Sequence, residues 1–506
     1  RDLRMSRGLG DVYKRQVVTI VVLLILAGIT INTVVGDKGL ISRASDAKVQ
    51  MEIANEKEIV ARAESLTVIR TKDTEISYEI FEPALQEEAG GNNVEASDAG
   101  DIIDVCFPDT NRYYEVDKNG KITGPNEVVN DENAGDITKG GSCDGSEEKP
   151  YKITCIEDLV ILSNITNGKG NCIDENGAIK DVESVNTFKN KQIILTRTLN
   201  FESKYSYSKP ELKWSYDSEN DVYKIDETST KTLKELITNK EGVGLVPIGK
   251  YDGAIFQGNF DGQGYTIQNI YMNRNSHSGF FMYVSGSIIE NLTLKGYMNA
   301  INKEVGVFSY RSAGSKFYNC NSFVNIGNET SRGCGTMIVA YGNVTLINCT
   351  NLGNGTASGL VGFDDIGGTT TIVNCYNAGE IKGKSKKNQT YSSSCGIVNW
   401  AYSSGTRNII NTCSLGNITD YGANFYFISG GASIDLTNCF YPASMKKNNK
   451  NIEVNEGSMS FDSSNVQEAL NQLNEYVKEH KNDYEITLKE WKLETINGEE
   501  MPVLKD

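Results

Sequence analysis

The sequence predicts a mainly β protein: a right-handed parallel β-helix, preceded by a long N-terminal α-helix that is hydrophobic at first and amphipathic afterwards. One reason is the segment 256–296, where three short apolar runs alternate with glycine-rich or polar corners. Another is that two residue patterns recur at a common spacing further along the chain. A third is that no proline occurs between Pro247 and Pro442. Because proline cannot donate to a strand ladder, this gap favours stacked, fully paired strands.

The composition limits the functions that the chain can have. Its 506 residues are too many for one core, so several units are expected. The formal net charge of −16 argues against nucleic acid as a partner. The only histidines are His277 and His480, which argues against a histidine-based metal site or catalytic triad. The 11 cysteines include no Cys-x-x-Cys, which argues against zinc and against a dense disulfide framework.

The N-terminal region divides into residues 1–16 and 17–66. Residues 1–16 lack an apolar period and resemble translated sequencing-adapter sequence, so we interpret them as non-native; a native basic flank is the alternative. Val17–Val35 has no charge across 19 residues, enough for a helix that just spans a bilayer. A cleaved secretory signal is the alternative for this span. Apolar residues then keep helical spacing through Leu40–Ser65, so residues 17–66 are predicted to form a membrane-anchored stalk helix.

This hydrophobic span and the helix behind it resemble the N-terminal stalk of type IV pilin-like proteins. The matching residues are 24–31, 36–37, 39–41 and 44–48, and they resemble prepilin-like proteins of Gram-positive, clostridia-type bacteria. The resemblance implies a protein held in the cytoplasmic membrane or in a pilus-like filament, with other pilin-like subunits as partners. The leader and the early acidic residue of that family would fall where residues 1–16 stand, so a plain signal anchor stays open.

Residues 67–140 are acidic and mixed, and they are predicted to form a small β-rich head or linker. Ile102–Phe107 and Arg112–Val116 have the composition of two strands, and a turn at Asp117–Gly120 leads the second strand onward. The polar stretch Gln86–Gly100, with its paired glycines, is predicted to be a flexible loop.

Residues 141–447 are predicted to form the β-helix itself. Glu157–Ser163 is expected to be a short helix that covers its first end, because stacked strands leave an exposed edge. Phe188–Asn200 is predicted to be a strand, and Glu202–Asn239 a polar insertion.

Two series of residues repeat with one period after residue 256. A glycine leads a short apolar run at Gly279, Gly306, Gly335, Gly359 and Gly396, in steps of 27, 29, 24 and 37 residues. The second series is Asn319-Cys320, Asn348-Cys349, Asn374-Cys375, Thr412-Cys413 and Asn438-Cys439, in steps of 29, 26, 38 and 26. Both series lengthen in the same repeat, which one insertion of about ten residues at Glu380–Thr390 explains.

The second series predicts what its two residue types do in a stack. Equivalent residues of stacked repeats lie directly above one another, about 4.8 Å apart. Asparagine can satisfy corner backbone groups and bond to its copy in the next repeat. The five cysteines are expected to pack as buried free thiols, with disulfides or a metal between them as the alternative.

These residues also resemble the GLUG-motif repeat family. Gly359–Gly362 matches the tetrad that names the family, Phe260–Ile267 its opening segment, and Pro150–Ile153 with Glu157–Leu159 its usual lead-in. The resemblance implies a parallel β-helix of the kind found on bacterial surface and adhesin-like proteins.

Residues 448–506 are predicted to cap the β-helix. Ser464–His480 is expected to be an amphipathic helix. Trp491–Leu493 and Met501–Leu504 are expected to be short strands that close the last repeat and prevent edge pairing.

Three groups of charged residues could form a catalytic, calcium or anion site, but the sequence favours a structural or solvent-exposed role for each. Asp364-Asp365 could form a carboxylate pair, but a solvated turn is favoured because Gly367-Gly368 follow. Asp217, Glu219 and Asp221 alternate as calcium ligands do, but the glycine of a calcium loop is missing. The basic loop Lys382–Lys387 is interpreted as a solvated insertion rather than an anion site.

These patterns predict a membrane- or pilus-anchored bacterial surface protein that presents a β-helix for adhesion or structural interaction, without catalysis. The sequence assigns no catalytic, cofactor-binding or metal-binding residue and no cofactor. The expected partners are the membrane, through Val17–Val35, other pilin-like subunits, and a host glycan or matrix ligand. The location is the cell membrane, with a single span and an extracellular domain, or an extracellular pilus-like filament. A carbohydrate-active β-helix enzyme and a pseudopilin-like component of a secretion system are the alternatives.

Overall fold

The computed structural model describes residues 40–72, 75–128, 137, 143–174, 177–327, 334–356, 358–362, 368–382, 394–399, 405–419, 425–426, 434–445, 452–453 and 456–505. The chain forms two compact units, one up to Glu127 and one from Val128 onward. Among these described residues, no helix is both long and apolar enough to cross a bilayer. The predicted span Val17–Val35 lies outside them.

The first unit packs two helices against a four-stranded antiparallel sheet. Its elements are α1 (Leu40–Thr71), α2 (Tyr78–Ala89), β1 (Glu95–Asp98), β2 (Ile102–Phe107), β3 (Arg112–Asp117) and β4 (Ile122–Glu127), with a 3-10 turn at Pro108–Thr110. Glu56 of α1 accepts bonds from Arg112 Nη2 at 2.8 Å and from the Tyr114 hydroxyl at 2.9 Å. Burial alone raises the pKa of Glu56, but the bonds from Arg112, Thr110 and Tyr114 outweigh it and lower the pKa. A charged, fully bonded carboxylate therefore joins helix and sheet.

The two strands predicted at 102–107 and 112–116 are confirmed, but the predicted loop at Gln86–Gly100 is wrong. Helix α2 continues to Ala89, and β1 pairs with β2. The paired glycines end the helix rather than open a long loop, since Gly90 takes the left-handed conformation with φ of 57°.

The second unit is built mainly from parallel sheets, so the prediction of a mainly β protein with stacked parallel strands is confirmed. The first sheet has nine parallel strands: β5 (Tyr151–Ile153), β8 (Gln192–Leu195), β12 (Asn259–Asp261), β15 (Ile288–Glu290), β18 (Ser315–Tyr318), β21 (Val344–Ile347), β23 (Thr369–Val373), β27 (Thr406–Ile410) and β31 (Ile434–Thr437). The second sheet also has nine: β9 (Leu199–Asn200), β13 (Thr266–Arg274), β16 (Thr293–Ala300), β19 (Asn321–Ile326), β22 (Thr350–Asn351), β24 (Tyr376–Asn377), β28 (Cys413–Ser414), β32 (Cys439–Pro442) and β34 (Ser458–Phe461). The third sheet is β14 (Phe281–Ser285), β17 (Ser309–Ala313) and β20 (Ile338–Ala340).

Shorter pairings and three helices complete this unit. The parallel ones are β25 (Ile381–Lys382) with β29 (Ile418–Thr419), and β26 (Ser394–Cys395) with β30 (Phe425–Tyr426) and β33 (Ile452–Glu453). The antiparallel ones are β6 (Asn171–Ile173) with β7 (Ile179–Asp181), β10 (Trp214–Asp217) with β11 (Val222–Ile225), and β35 (Trp491–Ile496) with β36 (Glu499–Leu504). The helices are α3 (Ile156–Asn167), α4 (Leu233–Ile237) and α5 (Val466–His480), with a 3-10 turn at Lys204–Ser206.

From β12 to β21 the chain visits the first, second and third sheets in rotation and then returns to the first. Later rounds continue to alternate between the first and second sheets, with the short parallel pairings of β25, β26, β29, β30 and β33 between them. Each strand pairs in parallel with its counterpart one round earlier, as β15 does with β12 through Ile289 and Phe260. Inward side chains of all three sheets belong to one apolar core, which includes Phe260, Leu294 and Phe281. A round of the rotation is called a repeat below.

An asparagine ladder runs along the corner between the first and second sheets. Its members are Asn291, Asn319, Asn348, Asn374, Asn411 and Asn438, and each has a positive φ between 50° and 56°. From Asn319 onward, the Nδ2 of each member donates to the Oδ1 of the asparagine one repeat earlier, for example from Asn374 to Asn348 at 2.7 Å and from Asn411 to Asn374 at 2.7 Å. Asparagine suits this corner because it tolerates the left-handed conformation and carries both a donor and an acceptor.

The ladder corrects one step of the predicted series. Asn411, not Thr412, occupies the asparagine position, so Thr412 takes the place of a cysteine. The Thr412 hydroxyl lies 3.3 Å from the Cys375 amide, just as Cys375 Sγ lies 3.2 Å from the Cys349 amide. Cys413 pairs instead with Tyr376 and Phe440 and packs in the second apolar cluster. With Asn411 in register, this step becomes 37 residues, which equals the step of the glycine series.

The glycine series has a steric cause. A Cβ at Gly359 would lie 1.8 Å from the carbonyl oxygen of Gly396, the equivalent glycine of the next repeat. A Cβ at Gly279 would lie 2.3 Å from that of Gly306. Backbones approach so closely at this corner that only glycine fits.

The predicted polar insertion at Glu202–Asn239 is a folded subdomain with its own buried residues. Strands β10 and β11 form a hairpin, and Trp214 and Tyr223 pack into the main core. Helix α4 begins with a capping box, in which the Thr232 and Glu235 side chains accept from each other's backbone amides.

The C-terminal segment lies along the asparagine ladder. Asn374 Nδ2 donates to the Lys489 carbonyl at 2.9 Å, and Trp491 Nε1 donates to Asn374 Oδ1 at 2.6 Å. Asn411 donates to the Leu473 carbonyl of α5 at 3.2 Å. Helix α5 and hairpin β35–β36 thus contact several repeats through a second apolar cluster.

Candidate functional site

The best-developed surface site is a group of aromatic side chains around Arg311, on the outer face of the third sheet. We call Tyr251, His277, Tyr283, Tyr310, Arg311 and Tyr341 the Arg311 surface. Tyr251 is 42% exposed, and the others except the buried Tyr310 are half-buried. Exposed aromatic clusters of this kind mark binding surfaces more often than isolated exposed residues do.

The strands of the third sheet bring these residues together from successive repeats. Tyr283 of β14 pairs in register with Arg311 of β17, so their side chains lie on the same face one strand apart. Tyr341 follows β20, and its amide donates to the Ser312 carbonyl at 2.8 Å. Val284 and Ser312, the next residues along, are buried, which leaves Tyr283 and Arg311 facing outward.

Tyr251 reaches this surface from a tight loop ahead of β12. The Lys250 amide donates to the Ala254 carbonyl at 2.8 Å, which closes the loop. Gly253 has φ of 96°, a conformation open to glycine and strained for other residues. The loop thereby holds Tyr251 beside residues of the third sheet that lie some 60 positions later in the chain, as the 2.6 Å bond between Arg311 and its hydroxyl shows.

Arg311 is the centre of the surface. Its Cζ atom lies 4.1 Å from the ring centroid of Tyr251 and 3.9 Å from that of Tyr341. One Nη2 donates to the Tyr251 hydroxyl at 2.6 Å. Within the described part of the chain, no carboxylate forms an ion pair with Arg311. The guanidinium is therefore held between aromatic rings and not by any described carboxylate.

A stacked pair extends the surface on one side. His277 stacks on Tyr310 with 4.1 Å between ring centroids, and its Nδ1 lies 2.7 Å from a Glu304 carboxylate oxygen. Burial raises the pKa of Tyr310, and it also raises that of Tyr283. Both phenols are therefore neutral at physiological pH, so they can donate and accept hydrogen bonds without adding negative charge.

This arrangement has the features of a carbohydrate-binding surface. The faces of tyrosine rings carry negative quadrupole charge and attract the polarised C–H groups of a sugar ring. Phenol hydroxyls and a guanidinium supply hydrogen bonds to hydroxyl or acidic groups of a ligand. Because the side chains come from three repeats and one loop, their spacing depends on the sheet and not on local sequence.

A second site brings two carboxylates together. Asp261 and Glu290 pair in register on β12 and β15. Burial raises the pKa of Glu290, and the charge of Asp261 raises it further. The next two residues in this column, among those described, are Tyr318 and Ile347, so the row of acids stops at two. Asp261 also accepts a bond from Asn291 at 3.0 Å, which joins it to the asparagine ladder.

The charged residues considered as sites in the sequence analysis form ion pairs or turn hydrogen bonds where the structure describes them. Lys224 donates to Asp217 at 2.6 Å and is the main cause of the lowered pKa of Asp217, while Arg274 pairs with Asp221. Glu219 lies in the same hairpin turn, where its amide donates to Asp217. No group of three or more metal-ligating side chains occurs among the residues that the structure describes. Asp364-Asp365 and most of Lys382–Lys387 lie outside those residues.

Sequence reasoning did not identify the Arg311 surface. A usable signal was present, since Tyr283, Arg311 and Tyr341 follow one another in steps of 28 and 30 residues, close to the repeat period. Tyr251 carried no such signal, because it comes from a loop outside the period.

Comparison of the chain with protein-family models, with curated proteins and with solved structures finds no match, so a function for the Arg311 surface is argued below from its own geometry.

Proposed function

We propose that the second unit is a right-handed parallel β-helix, and that the chain is a membrane- or pilus-anchored bacterial surface protein that uses it for adhesion without catalysis. The rotation of the chain through three parallel sheets supports the β-helix, since each repeat buries its inner face only against its neighbours. The right hand follows from the strong preference of parallel strand connections for that hand.

Adhesion through a glycan is the function that the Arg311 surface supports best. The single observation that carries the proposal is a partly exposed set of tyrosines around a guanidinium, held by a sheet of successive repeats. Binding needs no movement of the protein, because the ring positions are set by the sheet.

Anchoring rests on the N-terminal region. The resemblance of residues 24–31, 36–37, 39–41 and 44–48 to a pilin-like stalk supports a membrane or filament location. The long helix α1 lies where the second part of that stalk helix is predicted. Val17–Val35 would be the membrane partner.

A binding screen tests the adhesive function. The full chain in detergent is applied to an array of host glycans and matrix proteins, beside the variants Tyr341→Ala and Phe323→Ala. We expect the chain to bind one or more glycans, and Tyr341→Ala to lose most of that binding. Phe323, another exposed aromatic residue that lies beneath Lys295 on the second sheet, is the matched control and should leave binding intact. Binding to no glycan, or binding that Tyr341→Ala leaves unchanged, contradicts the proposal.

A carbohydrate-active enzyme is the second candidate, because Asp261 and Glu290 form an acid pair with a raised pKa on Glu290. Such a pair resembles the acid and base of glycoside hydrolysis. The bound glycans are therefore incubated with the chain and with Glu290→Gln, and the products are analysed for shortened saccharides. If the wild type shortens the saccharides and Glu290→Gln does not, catalysis and not adhesion is the function of the chain.

A further inference from the structure

We propose that the Arg311 surface selects an acidic sugar, with the ligand's carboxylate paired to Arg311 and its ring lying on the neighbouring tyrosines. This deepens the proposed glycan-binding function and rests on it. The argument starts from the one charged group at the centre of the surface.

Arg311 has no acidic partner among the described residues, although the chain is rich in acids. The sequence contains 66 Asp and Glu residues against 50 Lys and Arg residues. By contrast, Arg112 forms an ion pair with Glu56 and Arg274 forms one with Asp221. At Arg311 the neighbouring positions are occupied by tyrosines instead. A cation kept free of acids, in an acidic protein, has its charge available for an external anion.

The guanidinium is also held in place before any ligand arrives. Stacking against the rings of Tyr251 and Tyr341, together with the bond to the Tyr251 hydroxyl, fixes the plane of its donors. A guanidinium has five N–H donors in a planar fork that matches the two oxygens of a carboxylate. Because the fork is already oriented, less side-chain entropy is lost when a carboxylate binds.

The rest of the surface is compatible with a bound carboxylate. The phenols of Tyr283 and Tyr310 stay neutral because burial raises the pKa of each. Glu304, the acid beside the stacked pair, is engaged by His277 at 2.7 Å. Tyr251 is 42% exposed, so part of its ring is open to a ligand beside Arg311.

A comparison of matched sugars tests this selection without any variant. Oligosaccharides that contain glucuronate, galacturonate or sialate are each titrated against the full chain, beside the same oligosaccharide with its carboxyl group reduced to the alcohol. We expect at least one acidic sugar to bind about tenfold or more tightly than its reduced counterpart, the effect of one charged hydrogen-bonded pair. Equal affinity within every pair overturns the proposal.

Variants then locate the discrimination. Arg311→Gln should bind the acidic sugar as weakly as the reduced one, and Arg311→Lys should recover only part of the difference because it lacks the fork. Lys295→Gln is the matched control, since Lys295 also lies over an aromatic ring, at 5.1 Å from the Phe323 centroid, but on the second sheet. Discrimination that survives Arg311→Gln, or that is lost in Lys295→Gln, also overturns it.

The outcomes separate this inference from the function on which it rests. If acidic and reduced sugars bind equally and both bind more weakly to Tyr341→Ala, the selection of acidic sugars is refuted but glycan adhesion is supported. Absence of binding to all sugars removes both.

Discussion

Asn374 shows how much one residue of the ladder contributes. Its side chain donates to Asn348 and to the Lys489 carbonyl, and it accepts from Asn411 and from Trp491. Its backbone has φ of 56°, which most residues adopt only with strain. One buried amide therefore joins three repeats to the C-terminal segment.

Replacing Asn374 should be costly for two separable reasons. Asn374→Ala leaves buried groups unpaired and strains the left-handed backbone, so we expect the free energy of unfolding to fall by about 3 kcal/mol. Asn374→Gly also loses the side-chain bonds but avoids the backbone strain, so it should be about 1 kcal/mol more stable than Asn374→Ala. Chemical denaturation measures both.

The exposed hairpin residue Asn497 is the control, because it has φ of 53° without a place in the ladder. Asn497→Ala should cost about 1 kcal/mol, the backbone strain alone. Equal losses for Asn374→Ala and Asn497→Ala would show that the ladder bonds add nothing to stability.

The ladder itself was predictable from single residues, but its register was not. Asparagine followed by cysteine recurs often enough to predict a column of each. At Asn411-Thr412-Cys413 the sequence allows two alignments. Matching Cys413 to the cysteine column puts Thr412 in the asparagine column, and this alignment is wrong. The hydrogen bond from Asn411 to Asn374 decides the matter, because it requires the asparagine and not the cysteine in register.

At the scale of elements, the C-terminal segment is held along the repeats by a polar seam and an apolar cluster. Trp491 of β35 is 1% exposed, and its ring lies 6.1 Å from that of Tyr376. Leu473 and Val477 of α5 belong to the same cluster as Tyr376 and Phe440 of the second sheet. The segment thus contacts strands that would otherwise present an apolar outer face.

Trp491→Phe tests this attachment. The change keeps an aromatic ring but removes the donor to Asn374 Oδ1, so we expect the free energy of unfolding to fall by about 1–3 kcal/mol. Residues 466–504 should also become easier to cleave in limited proteolysis. Lys505→Ala is the control, since its ion pair with Glu490 is exposed and should be worth less than about 1 kcal/mol. A Trp491→Phe protein as stable and as protease-resistant as the wild type would refute this role.

The elements that sequence reasoning missed are polar segments that are ordered by contacts with other elements. Strand β1 is short and polar, and it forms because β2 offers an edge to pair with. The hairpin β10–β11 lies in a stretch rich in charge, yet Trp214 and Tyr223 anchor it in the main core. Local composition describes such segments as loops or insertions, because the apolar surface that orders them belongs to other parts of the chain.

At the scale of the whole molecule, the cysteines from Cys320 to Cys439 in the second unit are buried thiols. Burial raises the pKa of Cys439 to about 12 and raises that of Cys413 well above the usual value, since a thiolate would lose its hydration. Hydrogen bonds run from Cys439 Sγ to the Ile409 carbonyl at 3.2 Å, which requires the protonated form. The native state therefore holds protons that the unfolded chain releases in alkali.

This linkage predicts an alkaline loss of stability. The folded pKa of Cys439 is raised, so its contribution is complete below the unfolded value of 9.0 and falls as pH rises toward about 12. Across that window the wild type should lose up to about 1.4 kcal/mol per pH unit more than Cys439→Ala does. Urea denaturation at several pH values from 8 up to about 12, referred to pH 8, measures the difference. Parallel curves for the two proteins would contradict the prediction.

The sequence by itself determined that the protein is mainly β, that parallel strands repeat with a period near 27 residues, and that asparagine and glycine occupy fixed places in each repeat. This is possible because stacked strands place the same steric and hydrogen-bonding requirements on equivalent positions of each repeat. The same residue types therefore recur at a regular spacing in the sequence. Only the tertiary structure decided that Arg311 lies among Tyr251, Tyr283 and Tyr341, and that the C-terminal segment lies along the asparagine ladder. The positions of Tyr283, Arg311 and Tyr341 follow the repeat period, but Tyr251 and the C-terminal segment lie outside it, so their contacts with the repeats could not be predicted from periodicity.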